Sequence, residues 1–395
     1  MGRLLTGQPA KGTGREDMAM KRAIGLMSGT SLDGVDVALI ETDGEAVHVV
    51  KSRNNFLEPL GPTGYRGYEE DERVLLRAAT KDAESVILPS DRPGRLPEAE
   101  EFVTRAHAEA VERFLADNGL TPADIEVIGF HGQTVIHRPQ HRISIQIGDG
   151  QALADRLGIP VVSDLRRADI EAGGQGAPLV PIFHKALAEA AGFEGPFGIL
   201  NIGGVANATL IDSSGGVVAF DTGPGNSLID EWMQEREGKN LDDGGRTAAR
   251  GKPDDQLLAW LLQHPFFART PPKSLDRNWF SHKLAGQLST EDGAATLTAF
   301  TARAVLLALD HAPERPTRWV VAGGGAKNGE LMRLLNALLD AEILMADTIG
   351  WSSAFLEAQA FAYLAMRSMK GLPITFPSTT GVGEAISGGV LARPR

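Results

Sequence analysis

Short apolar runs that end in glycine-rich turns set the rhythm of this chain. Residues 24–27 are followed by Ser28-Gly29-Thr30-Ser31-Leu32-Asp33-Gly34 and then by a second apolar run, 35–40. Short apolar runs bounded by turn signals read as strands, and Asp33-Gly34 between two of them predicts a hairpin over 23–27 and 35–41. The pattern returns at Leu200-Asn201-Ile202-Gly203-Gly204-Val205-Ala206-Asn207, giving an expected hairpin over 198–212 and a further strand at 217–221. It returns again at 319–322, where Gly323-Gly324-Gly325 leads into a helix-like stretch instead.

Between these landmarks, helices are expected near 69–88 and 98–118, separated by the breaker cluster Pro89-Ser90-Asp91-Arg92-Pro93-Gly94. Strands follow at 125–130, ending in His131-Gly132-Gln133-Thr134, at 143–147 and at 159–163, with a helix over 151–157. Further helices are expected at 179–192, from Ser227 to about Arg236, and over 291–311, 329–339 and 353–369. Residues 53–66 and 264–282 read as loops, the latter on the surface, and 372–391 as a Pro- and Gly-rich tail. Strands alternating with helices give an α/β class with parallel or mixed sheets. The repeat of hairpin, glycine turn and α/β segment suggests two related lobes closing on one nucleotide. The flexible passage Ala172-Gly173-Gly174-Gln175-Gly176-Ala177-Pro178 marks the boundary. The expected division is a disordered leader over 1–21, one lobe over 22–175 plus about 375–395, and a second over 176–374. Met18 and Met20 are alternative starts.

Composition narrows the chemistry. The 395 residues exceed one ordinary core. A net charge of −12 argues against a dedicated nucleic-acid binder, which needs a basic face. The absence of cysteine excludes disulfides, thiolate zinc sites and a thiol nucleophile, and it fits a reducing cytoplasm. No apolar stretch approaches the ~18 residues of a membrane span.

The small residues 28–31 offer hydroxyl and backbone donors with little bulk, as a terminal phosphate requires. Asp33 is placed to hold Mg²⁺ directly or through water. The loop is not a Walker sequence, because no Gly-Lys-Ser/Thr ends it. Asn201-Ile202-Gly203-Gly204 gains weight by echoing the first hairpin. Gly323-Gly324-Gly325 marks a close backbone approach, here to ribose and adenine. Asp221, closing the run 217–220 before Gly223-Pro224-Gly225-Asn226, is the candidate general base, with a strand-end turn cap as its plainer reading. Arg166 and Arg167, after the strand at 159–163, suit carboxylate or phosphate contacts or a solvated charge cluster. A zinc site at His131, His137 and His141 lacks a fourth ligand.

Taken in order, Gly25-Leu26-Met27-Ser28-Gly29-Thr30-Ser31-Leu32-Asp33-Gly34-Val35-Asp36, Gly129-Phe130-His131-Gly132-Gln133-Thr134, Gln146-Ile147-Gly148-Asp149, Asp164-Leu165-Arg166-Arg167, residues 173–181, Asn201-Ile202-Gly203-Gly204, Asp221 to Asn226 and Gly323-Gly324-Gly325 resemble the anhydro-N-acetylmuramic acid kinases. The resemblance runs from about Arg22 to Val390. It implies a two-lobed, actin-like (ribonuclease H-like) kinase fold with duplicated mixed sheets and a cleft between the lobes. It implies ATP and Mg²⁺ as cofactors and 1,6-anhydro-N-acetylmuramic acid as substrate. The sugar's ring is opened by water and its 6-oxygen is phosphorylated, a reaction of cell-wall recycling. By the same resemblance Asp221 is the catalytic base and Glu357 assists it. Gly29, Thr30, Ser31, Leu32, Asp33, Gly34, Val35 and Asp36 form the phosphate loop. Asn201, Gly203, Gly204, Gly323, Gly324, Gly325 and Asn328 complete the nucleotide site, with Asp33 on the metal. His131, Gln133, Thr134, Asp164, Arg166, Gly223 and Asn226 meet the sugar. A cytoplasmic homodimer acting without nucleic acid or membrane is the family expectation. The chain departs from the family at Ala354-Phe355-Leu356, where acidic residues are usual, at Ser163 and at Ala168. The alternatives are a kinase of another sugar and a nucleotide-gated binding protein of the same fold.

Overall fold

The two hairpins nucleate two sheets with the same strand order. The computed structural model describes residues 20–49 and 60–395. In the first half lie strands β1 Lys21–Ser28, β2 Gly34–Thr42, β3 Thr63–Gly67, β4 Val127–Arg138, β5 Ile143–Ile147 and β6 Val161–Ser163. Helices α1 Glu70–Asp82, α2 Leu96–Asp117, α3 Gly150–Leu157 and α4 Arg167–Glu171 connect them. The second half holds β7 Phe197–Ile202, β8 Val205–Ile211, β9 Val217–Pro224, β10 Arg318–Ala322 and β11 Glu342–Met345. Its helices are α5 Pro181–Ala191, α6 Ser227–Glu237, α7 Asp255–Leu261, α8 Pro265–Ala268, α9 Thr290–Ala308 and α10 Gly329–Leu338. Helix α11 Leu356–Met369, the short α12 Pro377–Thr380 and strand β12 Val390–Ala392 close the chain.

The first sheet runs β12-β6-β4-β1-β2-β3, with β5 paired to β4, and the second runs β11-β10-β7-β8-β9. In each, two antiparallel neighbours extend one side of the first hairpin strand and two parallel strands extend the other. That is the ribonuclease H-like order made twice, so the protein is a two-lobed α/β fold with duplicated mixed sheets.

The layer between the sheets explains α11. Its sequence, LEAQAFAYLAMRSM, is apolar almost all round, and such a helix must be buried on every side. Phe361, Tyr363 and Leu364 of α11 share one core with Phe183 of α5, Ala23 and Val127 of the first sheet, and Ile199 and Val320 of the second. Gly25 and Gly129 let α11 sit directly on β1 and β4: a Cβ at Gly25 would lie 1.7 Å from the Ala358 carbonyl oxygen, and one at Gly129 2.0 Å from that of Phe361. We propose that the chain returns to the first lobe at about residue 355, earlier than the 375 expected from sequence, because α11 and β12 both build on the first sheet. Helix α9 and its last turn, Thr290–His311, are long and apolar enough to cross a membrane, but 78% of the most apolar 18-residue window in that stretch is buried within the protein.

Several expectations need correction. Residues 63–67 form an edge strand rather than loop, while 53–59 lie outside the described residues, as do 1–19 of the expected leader. Strand β4 continues through His131-Gly132-Gln133-Thr134 to Arg138, so those residues are interior to a strand. Strand β9 continues past Asp221 to Pro224. Residues 264–282 are not a surface loop: Phe266, Phe267 and Phe280 are buried against Phe300 of α9. Hydrophobic residues scattered among prolines carry no period, so their burial was invisible to pattern reading.

Candidate active site

A cavity of about 1040 Å³ opens between the lobes, with Arg166, Asn201, Asn207, Asp221 and Glu357 on its walls. Asp221 reaches it because β9 is bulged. Asn207 pairs with Asp221 but Ala206 pairs with Gly223, leaving Thr222 as an extra residue. A bulge re-aims the side chains on either side of it. Asp221 faces the cavity, while a Cβ on Gly223, two residues on, would lie 2.7 Å from Ala304 Cβ of α9. Gly223 is therefore a packing position and is not among the residues that line the cavity. The Asp221 carboxylate is held at Oδ2 by the Leu275 N–H, 2.8 Å away, and its own N–H donates to the Lys273 carbonyl at 3.0 Å. Burial raises its pKa to about 6, against the lowering effect of the Leu275 hydrogen bond. A carboxylate so tuned is ionised at neutral pH and basic enough to take a proton from water.

Glu357 lies in the first turn of α11, open to solvent within the cavity yet surrounded by protein. Burial raises its pKa, and the Arg166 cation opposes the rise. Arg166 is itself aimed by buried partners. Its Nε and Nη2 donate to His131 Nε2 at 3.2 and 3.0 Å, and its Nη1 donates to the Gly176 carbonyl at 2.8 Å. Burial and the Arg166 charge hold the His131 pKa far below the usual histidine range, so the ring is neutral. Its Nδ1–H donates to the Gly132 carbonyl at 2.8 Å, leaving Nε2 to accept from Arg166. His131 thus braces Arg166 and is not among the residues that line the cavity.

Gln133 has a similar supporting role at the first glycine turn. It is fully buried; its Nε2 donates to the Gly29 carbonyl at 3.1 Å and its Oε1 accepts from Ser28 Oγ at 2.6 Å. The Tyr68 hydroxyl lies 3.0 Å from the same Ser28 oxygen. Gln133→Leu keeps the size and removes both bonds. The expected result is a rise of about tenfold in KM for ATP, from loss of roughly 1–1.5 kcal/mol of loop fixation, with the folded state retained; steady-state kinetics check it.

The second and third glycine turns close on each other. A Cβ at Gly323 would lie 2.6 Å from Asn201 Oδ1 and from the Ile202 carbonyl oxygen, and one at Gly225 2.2 Å from the Gly203 carbonyl oxygen. Asn226 ties the end of β9 to the second turn: its N–H donates to the Gly203 carbonyl at 2.7 Å and its Nδ2 to that of Ile202 at 3.2 Å. Asn226 therefore stands at the glycine turns, not among the residues lining the cavity. Backbone so free of side chains is suited to a nucleotide.

The sequence model of the anhydro-N-acetylmuramic acid kinase family matches residues 21–393. The chain belongs to this family. A relative named anhydro-N-acetylmuramic acid kinase from Methylorubrum populi is 70% identical over 95% of this chain and all of its own length. One of the same name from Rhodopseudomonas palustris is 54% identical over 95% of this chain, again over its full length. Among solved structures, a ROK family glucokinase from Streptomyces griseus with glucose and AMPPNP covers 88% of this chain at 14% identity and a TM-score of 0.38. The protein is a kinase.

In this kinase the cavity gathers only part of the set expected from sequence. Thr134 accepts from Gln146 Nε2 at 3.2 Å and lines a separate cavity of about 450 Å³ beside Thr30 and Leu32. Asp164, at φ +52°, does not line the main cavity, and burial raises its pKa while Arg167 and Arg92 oppose the rise. Asn328 caps α10, accepting from the Leu331 N–H at 3.0 Å. Pattern reading missed His184, Asn207, Thr209 and the segment 273–276, all on the cavity wall. For Asn207 a signal existed: it faces Asn201 across the second hairpin. For 273–276 there was none.

Two carboxylates, Asp33 and Asp36, flank the first turn. Burial, with the charges of Glu357 and Asp33, raises the Asp36 pKa to about 7. Carboxylates that repel one another invite a cation. Among the described residues no three His, Asp or Glu side chains form a ready cage. Mg²⁺ suits that arrangement, since it is held by one or two carboxylates together with substrate phosphates and water.

Proposed function

We propose that this kinase opens the 1,6-anhydro ring of anhydro-N-acetylmuramic acid with water and transfers the γ-phosphoryl group of ATP to the freed 6-oxygen. The products are N-acetylmuramic acid 6-phosphate and ADP. The observation that carries the reading is Asp221, a buried carboxylate with a pKa near 6, sharing one cavity with Glu357 and Arg166 between two glycine-built lobes. Asp221 takes a proton from water as the water oxygen bonds to the anomeric carbon. The bond from that carbon to the 6-oxygen breaks, and the 6-oxygen attacks the γ-phosphorus as the bond to the β-phosphate oxygen breaks. Arg166 and Glu357 orient the sugar. The first glycine turn, 29–34, and the pair of turns at 203–204 and 323–325 receive the nucleotide. Asp33 and Asp36 would hold Mg²⁺, whose role is to neutralise charge on the phosphate oxygens. We place the reaction in cytoplasmic cell-wall recycling by a homodimer, with no nucleic-acid or membrane partner; the resemblance to the family and the acidic, cysteine-free composition support this.

The test is ADP release from ATP with Mg²⁺, with and without the anhydro sugar. Sugar-dependent release is expected. Turnover with a free amino sugar and none with the anhydro form would replace this reading by a kinase of another sugar. The pH profile adds a sign. A base must be deprotonated, so kcat/KM should be flat above about pH 7 and fall tenfold per unit below the Asp221 pKa of about 6.

A further inference from the structure

We propose that Lys273 is a positioning residue that aims the Asp221 carboxylate from beneath β9, acting through the strap of residues 273–276. The inference rests on Asp221 being the base. Among the described residues Lys273, 7% exposed, and Arg367 are the two buried lysine or arginine side chains. The Lys273 Nζ donates to the carbonyls of Phe266 and Phe267 at 3.3 and 3.1 Å and lies 3.1 Å from His311 Nε2, past the end of α9. The rings of Phe266 and Phe220 flank it at 4.8 and 5.5 Å. Two carbonyls thus accept from the ammonium, and His311 Nε2, which also lies 3.1 Å from the Phe267 carbonyl, completes the group, with no carboxylate among the bonded partners.

This is a costly way to fill a core. A methionine would occupy the space without desolvating a charge. The ammonium does something a methionine cannot: it pins the start of the strap to α8 and α9 by directed bonds. The strap then grips Asp221 at two points, the Lys273 carbonyl on its N–H and the Leu275 N–H on Oδ2. Phe220, next to Asp221 in β9, turns its ring to the ammonium on the opposite side of the strand. The carboxylate and the ammonium are therefore held on two sides of one strand by a single short segment. Burial lowers the Lys273 pKa to about 8, so the pin is charged at neutral pH.

The ionisable groups on the cavity wall with Asp221 are His137 and Arg138 of β4, Arg166 before α4, His184 of α5, Lys273 and Asp276 of the strap and Glu357 of α11. Burial raises the Asp221 pKa and the Leu275 hydrogen bond opposes the rise, so a change in the strap is readable.

Lys273→Met and Lys273→Arg are compared with wild type and Asp221→Asn in the full-length chain. Measured are melting temperature, KM for ATP, kcat against pH, and the titration of ¹³C-labelled aspartate carboxyls, with Asp221 assigned by its absence in Asp221→Asn. In Lys273→Met the Leu275 N–H loses its fixed place, so the Asp221 carboxyl and the acid limb of kcat should move up by about one pH unit. The value of kcat at neutral pH should fall about tenfold or more, while KM for ATP stays within twofold. Lys273→Arg, which keeps the charge but not the reach, should move the limb the same way by less, and it carries the test if the methionine variant does not fold. A lowered melting temperature with an unmoved Asp221 titration and acid limb would overturn the proposal and leave Lys273 a purely structural cation. Full activity in Asp221→Asn would overturn the base reading and this inference with it. Loss of activity in Asp221→Asn beside unmoved Lys273 variants would overturn this inference alone.

Discussion

Asp221→Asn is expected to lower kcat by about 10²–10⁴-fold, the range for removing a positioned general base. The substitution keeps the shape of the side chain and the acceptor for the Leu275 N–H, so the fold and the strap should survive. What disappears is the ability to take a proton. The affinity for ATP should be nearly unchanged, because the nucleotide site proposed above is at the glycine turns and not at this carboxylate. Sugar-dependent ADP release and nucleotide binding by calorimetry, made on the same preparation, check the two halves separately. Loss of nucleotide binding together with turnover would mean that Asp221 supports the fold of the cleft rather than the chemistry. The remaining activity should also lose the acid limb near pH 6, since no titrating base is left to produce it.

Gly25→Ala is expected to cost about 3 kcal/mol or more in stability. Its new methyl would stand 1.7 Å from the Ala358 carbonyl oxygen and 2.5 Å from the Ala362 nitrogen, both backbone atoms of α11. No rotamer change relieves a backbone clash, so β1 or α11 must move. Because Glu357 sits beside Ala358 at the start of that helix, any molecule that still folds should bind sugar poorly. Gly383→Ala is the control: nothing lies within 4 Å of the added carbon there, and the melting temperature should hold. Urea unfolding of both variants decides. Equal stability would mean that α11 does not lie directly on β1.

The same helix shows where sequence reading succeeds and where it stops. That a helix lies over most of 353–369 follows from a run with hardly a polar face, and the structure places it at 356–369. Which sheet it covers does not follow. The answer lies in Gly25 and Gly129, which are more than 200 residues away and are glycine because a helix backbone touches them. The hairpins are legible for the opposite reason: Asp33-Gly34 and Gly203-Gly204 impose their turns on immediate neighbours, and the apolar runs on either side choose each other.

The candidate site divides along the same line. Asp221 could be singled out from its place beside Gly223-Pro224-Gly225, and the glycine turns from their repetition. Gln133 and His131 could be noticed but not given a task, since each acts on a partner, Gly29 or Arg166, that no local pattern links to it.

By itself, the sequence determined the two hairpins, their turns and the twofold repetition, because backbone preference and side-chain period act within a few residues. It also carried the family, through an ordered set of short motifs. The tertiary structure alone decided that the bulge at Thr222 points Asp221 into the cavity, that a strap from 273–276 holds it there, and that burial raises its pKa. Desolvation and close backbone approach depend on atoms brought from distant parts of the chain, and no spacing along the sequence encodes them.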